Sequence, residues 1–329
     1  MLHISIVETI HPKAIKRISD NPNYSFEVIE NLDENNLINK LKDTDAIAIR
    51  TANLSSKVID SCKKLKIISR HGVGYDNIHL PSLNIKKIPL AITINANSMT
   101  VAEHVFAMMF YFNKNINQFD KSVREHDWDR LKMDGNKIII MNSELYNKTI
   151  LILGYGRIGR ELASRCLAFN MNVIIYDPFL KKEFNEKSIT TVSHIDEGLK
   201  IADYISIHTP LNNNTRNLIN KNNLTKMKRN AFIINASRGG IINEIDLNNA
   251  LNENIIAGAG LDVFDEEPPS KENLLFNNKK AIFTPHIAAH TLECWERHGK
   301  ETIQNIFDYF DNKLSINAIV NRDSINLKY

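Results

Sequence analysis

Short apolar runs alternate with amphipathic stretches through the first ninety residues. HISIV is followed by PKAIKRIS, SFEVIE by ENNLINKLK, DAIAIR by SSKVIDSCKKL, and KIIS by a glycine-containing loop and a further helical stretch. This rhythm predicts parallel strands joined by crossover helices. Near residue 98 it changes to SMTVAEHVFAMMFYFNK, apolar on nearly every face, which predicts a buried helix crossing between domains, with Thr100 and Glu103 in capping-box spacing at its start. A second α/β unit begins at Lys148: TILIL, the loop GYGRIG, a helix through about Phe169 and the strand NVIIYD. Further strands are predicted at YISIHT, AFIINAS, AGAGLDV and AIFTPH. From Thr291 the spacing of Leu292, Trp295, Thr302, Ile306 and Phe310 is helical, and INAIV reads as a short terminal strand.

A length of 329 residues accommodates two domains. The 41 basic and 38 acidic side chains leave a formal charge of +3, too small to point to nucleic acid or an anionic membrane as partner, so any anion recognition is local. Cys62, Cys166 and Cys294 are far apart and form no metal-ligand spacing, which fits free thiols in a reducing compartment. The start MLHISIVETIHPK has neither a basic n-region nor a long apolar run, so the expectation is a soluble, cytoplasmic protein without a membrane span. No ligand set such as HExxH occurs, and no metal is expected.

Chemistry enters at GYGRIG. Gly154, Gly156 and Gly159 form GxGxxG between an apolar strand and a helix, where the first glycine permits a tight turn, the second lets backbone approach a pyrophosphate, and the third lets helix pack on strand. The helix N-terminus adds positive potential. Asp177 ends the next strand, placed to accept hydrogen bonds from ribose hydroxyls and to repel a 2′-phosphate, which favours NAD over NADP. Lys181 and Lys182 lie nearby, and a strand-end Asp also caps turns.

Three later segments supply catalytic side-chain types. Arg238 follows an apolar strand and precedes two glycines, where a guanidinium suits a carboxylate in a two-point fork. In AGAGLDVFDEEPP, Asp262, Asp265, Glu266 and Glu267 compete for any acidic role, and composition does not choose among them. His286 follows a strand and a proline, but His71, His104 and His290 also lie in suggestive segments.

NASRGG, LDVFDEEPP and TPHIAAHT, in that order after GYGRIG, resemble the signature of the D-isomer-specific 2-hydroxyacid dehydrogenase family. The resemblance extends upstream to RHGVGYDNI at 70–78, the family's substrate loop, to NSMTVAEH, its interdomain helix start, and to HTPLNNNTRNLIN. It implies two Rossmann-like, doubly wound α/β domains: a flavodoxin-like substrate-binding domain from 1–97 and 291–329, and an NAD-binding Rossmann domain from 98–290. It also implies a homodimer. Carried over by position, the catalytic residues are Arg238, Glu267 and His286, with Glu267 as the carboxylate that keeps the imidazole an acid. The cofactor residues are Gly154, Gly156, Arg157, Ile158, Gly159, Asp177, Thr209 near the adenine, Ala236, Asp262 near the nicotinamide carboxamide, and Thr100.

The implied activity is NAD-dependent interconversion of a D-2-hydroxy acid and its 2-oxo acid. Within the family the chain looks most similar to the phosphoglycerate dehydrogenase and hydroxypyruvate/glyoxylate reductase branch. Arg50, Arg70 and Arg130 match basic positions near the substrate, beside Val73 and Gly74 of the loop. His71 and Tyr75 replace the smaller residues usual in RAGxGxDN, which leaves hydroxypyruvate, glyoxylate or another acidic 2-oxo acid open as substrate. A reading from a different class is an NAD-sensing corepressor, since some family members bind peptide motifs.

Overall fold

The computed structural model describes residues 1–126, 128, 133–134, 137–138, 141–180, 184 and 186–326. The chain forms two compact units, Met1–Asn97 with His290–Tyr329, and Ser98–Ala289.

In the first unit five parallel strands, β1 (Leu2–Val7), β2 (Tyr24–Ile29), β3 (Ala46–Ile49), β4 (Ile67–Arg70) and β5 (Leu90–Ile92), stand in the order β2-β1-β3-β4-β5. This is the flavodoxin-type winding, in which the chain reverses direction across the sheet between β1 and β3. The alternation in β3 shows how the sequence builds it. Ala46 and Ala48 face one side, where small side chains let the long helix Leu292–Phe310 settle with Ile303 and Ile306 against Ile4 and Ile6. Ile47 and Ile49 face the other, packing with Leu37, Leu41, Val58, Ile59 and Leu83 of three shorter helices. Both faces of β3 are wholly buried, as expected for a strand in a covered parallel sheet.

The second unit carries a two-residue antiparallel pair, β6 (Met133–Asp134) and β7 (Lys137–Ile138), and then β8 (Thr149–Leu153), β9 (Asn172–Tyr176), β10 (Ile189–Thr191), β11 (Tyr204–Ile207), β12 (Phe232–Asn235), β13 (Gly258–Leu261) and β14 (Ala281–Phe283). The last seven form one sheet in the order β10-β9-β8-β11-β12-β13-β14, parallel throughout. The reversal falls between β8 and β11, the position where doubly wound sheets bind ligands at their carboxyl edge.

Some local expectations are corrected. The interdomain helix runs Ser98–Lys114, so Thr100 lies inside its first turn, buried, and not at its cap. That helix also exposes Met99 and Tyr111. INAIV is a 3-10 turn at Ile316–Ala318 with an isolated antiparallel bridge from Ile319 to Ala91 in place of a strand. β5, three residues long, falls within a stretch read as loop and helix, and β10, also three residues, in a stretch for which no element is predicted. The three cysteines are free and buried. Among the described residues no helix is long and apolar enough to cross a membrane.

Two histidines are buried in the first unit. His71 is pushed down from 6.5 to about 3 by burial and then by the nearby His298, Arg50 and Arg70. His298 is likewise pushed down to about 3, by burial and then Arg70 and Arg297. The unfolded chain therefore takes up protons near pH 6.5 that the folded chain refuses, so this contribution to stability is whole above pH 6.5 and is lost progressively as pH falls toward 3. At pH 5 the loss is about 2 kcal/mol per histidine. Urea unfolding between pH 7.5 and pH 5 is expected to show that fall, with a shallower slope in His298→Gln; equal slopes for both proteins would contradict it.

Candidate active site

The glycine loop is shaped by what lies against it. Gly154 has φ +97°, and a Cβ there would stand 2.8 Å from the carbonyl oxygen of His208, at the end of neighbouring β11. A Cβ on Gly159 would stand 2.2 Å from the Gly154 carbonyl oxygen. Both glycines are thus required by close backbone approach. Gly156 is different, since nothing lies within 4 Å of its Cβ position. It is the N-cap of the helix Arg157–Ala168 and supplies no side-chain cap, so the first N–H groups of that helix receive no acceptor from its side chain. Arg157 is exposed beside it and Ile158 is half-buried.

Asp177, one residue past β9, binds the loop directly: Oδ2 accepts from Tyr155 N at 2.7 Å and Oδ1 from Phe179 N at 2.8 Å. One carboxylate therefore caps its own turn and touches the glycine loop. Across the reversal, the Thr209 hydroxyl is enclosed without a hydrogen-bond partner, as is His208 Nδ1. His208 Nε2 meets Ser206 Oγ at 2.8 Å, and burial pushes the ring down from 6.5 to about 4. An open glycine cradle, uncapped helix N–H groups and an orphaned hydroxyl at one sheet edge fit a dinucleotide. Lys181 and Lys182 lie outside the described residues.

The loops after β12, β13 and β14 come together. A Cβ on Gly239 would stand 1.7 Å from the Phe264 carbonyl oxygen, and one on Gly240 2.7 Å from Asp265 Oδ1, so the two glycines after Arg238 let its loop press on the acidic segment. Asp265 in turn pairs with Arg216 at 3.2 Å. Arg238, half-buried, donates from Nη1 to the Ser237 carbonyl at 2.7 Å, and its own carbonyl accepts from Asn235 Nδ2 at 2.8 Å. Ala236 is buried just after β12.

His286 Nδ1 lies 2.7 Å from Glu267 Oε2, while Glu267 Oε1 accepts from Phe264 N at 3.1 Å. That contact singles out Glu267 from its acidic neighbours. An imidazole whose Nδ1–H is engaged by a carboxylate presents Nε2 as its exchanging nitrogen.

Asp262 is 1% exposed and is spent inward. Its Oδ1 accepts from Thr284 Oγ1 at 2.6 Å and Ile287 N at 2.8 Å, its Oδ2 from Ala288 N at 2.9 Å, and its carbonyl from His286 N at 2.8 Å. His104 joins through Nε2, 3.1 Å from Thr284 Oγ1. The turn that bears His286, itself at φ +52°, is therefore built on one buried carboxylate. Among the described residues no group of three or more metal-ligating side chains is disposed to hold an ion.

The residues expected at the substrate lie in the other unit, apart from Arg130, which lies outside the described residues. Arg50 directly follows β3 at the sheet's reversal and donates to the Thr9 carbonyl at 3.3 Å. Arg70 ends β4 and donates to the His71 carbonyl at 2.5 Å, and Val73 is exposed beside Gly74. Glu8, at φ +68°, has no sequence signal: it accepts from Thr51 N at 2.5 Å, Thr51 Oγ1 at 2.7 Å and Ala52 N at 2.7 Å, fixing the turn after Arg50.

The model of the D-isomer specific 2-hydroxyacid dehydrogenase NAD binding domain matches residues 106–288. The chain belongs to this family. Among D-isomer specific 2-hydroxyacid dehydrogenase relatives, the D-3-phosphoglycerate dehydrogenase of Methanocaldococcus jannaschii is 37% identical over 97% of this chain, and the chain spans 59% of that relative's length. The Bacillus subtilis D-3-phosphoglycerate dehydrogenase is 40% identical over 76% of the chain and 46% of its own length. Solved structures agree in fold. An acyclic imino acid reductase in complex with NADPH and D-Arg is 30% identical with a TM-score of 0.84, covering 97% of this chain and 100% of its own. The D-lactate dehydrogenase of Aquifex aeolicus, complexed with NAD and lactic acid, is 26% identical with a TM-score of 0.80, covering 96% and 98%.

Replacing Asp262 by Asn turns an amide N–H₂ toward a donor on one side of the carboxylate, such as the backbone N–H of Ala288. Asp262→Asn is expected to lower unfolding free energy by about 1–3 kcal/mol, read by urea denaturation. A change below about 0.5 kcal/mol, the size of an ordinary surface substitution, would contradict the assignment.

Proposed function

We propose that this chain is an NAD-dependent oxidoreductase that interconverts a D-2-hydroxy acid and its 2-oxo acid, with a D-3-phosphoglycerate dehydrogenase-like substrate preference. The observation that carries the reading is the 2.7 Å contact between His286 Nδ1 and Glu267, on loops held against that of Arg238. The cofactor is held by the glycine loop, the N–H groups of the helix from Arg157, Asp177 and Thr209. When bound, the nicotinamide supplies or accepts the hydride.

The chain's own residues do the rest. Arg238 receives the substrate carboxylate and stabilises charge developing on the adjacent oxygen. Glu267 holds the Nδ1–H side of the His286 ring, so that Nε2 faces the substrate, delivers a proton to the carbonyl oxygen during reduction and takes it back during oxidation. Arg50 and Arg70 serve a second acidic group of the substrate. The carboxylate of Asp177 disfavours a 2′-phosphate, giving preference for NADH over NADPH. Assembly as a homodimer and a cytoplasmic location belong to the same proposal.

The test is NADH oxidation with 3-phosphohydroxypyruvate, hydroxypyruvate and glyoxylate, for the wild type and His286→Ala. The highest kcat/KM is expected for the phosphorylated acid, with turnover falling about 10²–10⁴-fold in the variant. Near-normal turnover by His286→Ala would overturn the acid–base role. Inertness toward all three acids while NADH still binds would turn the reading toward another acid or a cofactor-sensing binder.

A further inference from the structure

His71 departs from the small residue that the substrate loop carries in the family's RAGxGxDN pattern, and the structure shows what its ring meets. It follows β4, is 7% exposed, and its backbone N–H donates to the Ile49 carbonyl at 2.7 Å. Its ring lies 5.0 Å, centroid to centroid, from that of His298 on the helix Leu292–Phe310. His298 Nδ1 is hydrogen-bonded to Thr93 Oγ1 at 2.6 Å. Thr93, wholly buried, donates its N–H to the Gly72 carbonyl at 3.1 Å. The circuit thus closes on the residue next to where it began.

What it encloses is the base of the turn Gly72–Gly74. Gly72 has φ +142°, a backbone conformation strained for any residue with a Cβ, so the turn's base carries no side chain to anchor it. Its position is imposed from beneath. His71 Nε2 makes no hydrogen bond, and the ring packs against that of His298. A buried nitrogen left unsatisfied is costly, and a solvated loop has no need of one.

We propose that His71 and His298, tied through Thr93 to the Gly72 carbonyl, are a positioning pair that sets the Gly72–Gly74 turn and thereby the affinity for the 2-oxo acid, while touching neither substrate nor cofactor. The inference rests on the proposed function, which makes that turn a substrate contact.

The experiment measures KM and kcat for the 2-oxo acid, and the NADH dissociation constant by fluorescence titration, in the wild type, Thr93→Val, His298→Ala and His298→Asn. Thr93→Val keeps shape and hydrophobic packing, and thermal melting verifies the fold of each variant. Thr93→Val and His298→Ala are expected to raise KM about tenfold, the equivalent of one lost hydrogen bond, with kcat and NADH binding near wild type. His298→Asn, whose side chain places a polar atom near the Nδ1 position, is expected to recover most of the loss. Unaltered KM in Thr93→Val and His298→Ala would overturn the pair, as would a kcat or an NADH affinity that falls by a similar factor as KM rises. A wild type that turns over no 2-oxo acid refutes the functional reading and this inference with it, whereas an active wild type with indifferent variants refutes the pair alone.

Discussion

A carboxylate taken out of water has to be met by hydrogen-bond donors, and in this chain that requirement falls on Asp262 at the end of β13. Its two oxygens gather a hydroxyl and two backbone N–H groups from the segment after β14, and its own carbonyl takes the N–H of His286. None of those donors has freedom to wander without stranding a buried charge, a cost well above that of an ordinary lost hydrogen bond. His286 within this turn has a left-handed backbone. With the ring thus placed, Glu267 meets it from a loop that the two glycines after Arg238 hold close.

Both sheets use the same topological rule. Parallel winding places the loop that leaves every strand at one edge of the sheet, and the reversal of strand order opens that edge between β1 and β3 in one unit and between β8 and β11 in the other. Arg50 stands at the first reversal and the glycine loop at the second. At each, a close-packed backbone feature does the shaping: Glu8 binding the turn after Arg50, and the His208 carbonyl excluding any side chain at Gly154.

What is legible in the sequence is local. GYGRIG between an apolar strand and a helix carries its own physical meaning, and Asp177 follows at a fixed reach. The alternation in β3 and the helical spacing from Leu292 are equally plain. Chemistry alone does not separate His286 from His71, His104 and His290, and only resemblance chooses it. Asp262 shows no sign of its role as an organiser, because its donors lie 22, 25 and 26 residues downstream. Glu8 is hidden for the same reason, its donors being 43 and 44 residues away. The strands β5 and β10 are too short to show a period, and spacing sets Thr100 at a cap because it does not say where a helix begins.

The central claim is that Glu267 fixes the proton on His286 Nδ1 and leaves Nε2 as the nitrogen that exchanges it. ¹⁵N NMR of the histidine rings across a pH titration reads this directly, with His286→Gln supplying the assignment. The account predicts that His286 loses its proton from Nε2 while Nδ1 stays protonated, and that Glu267→Gln abolishes that preference. A neutral ring with its proton on Nε2 and a bare Nδ1, unchanged by Glu267→Gln, would contradict it.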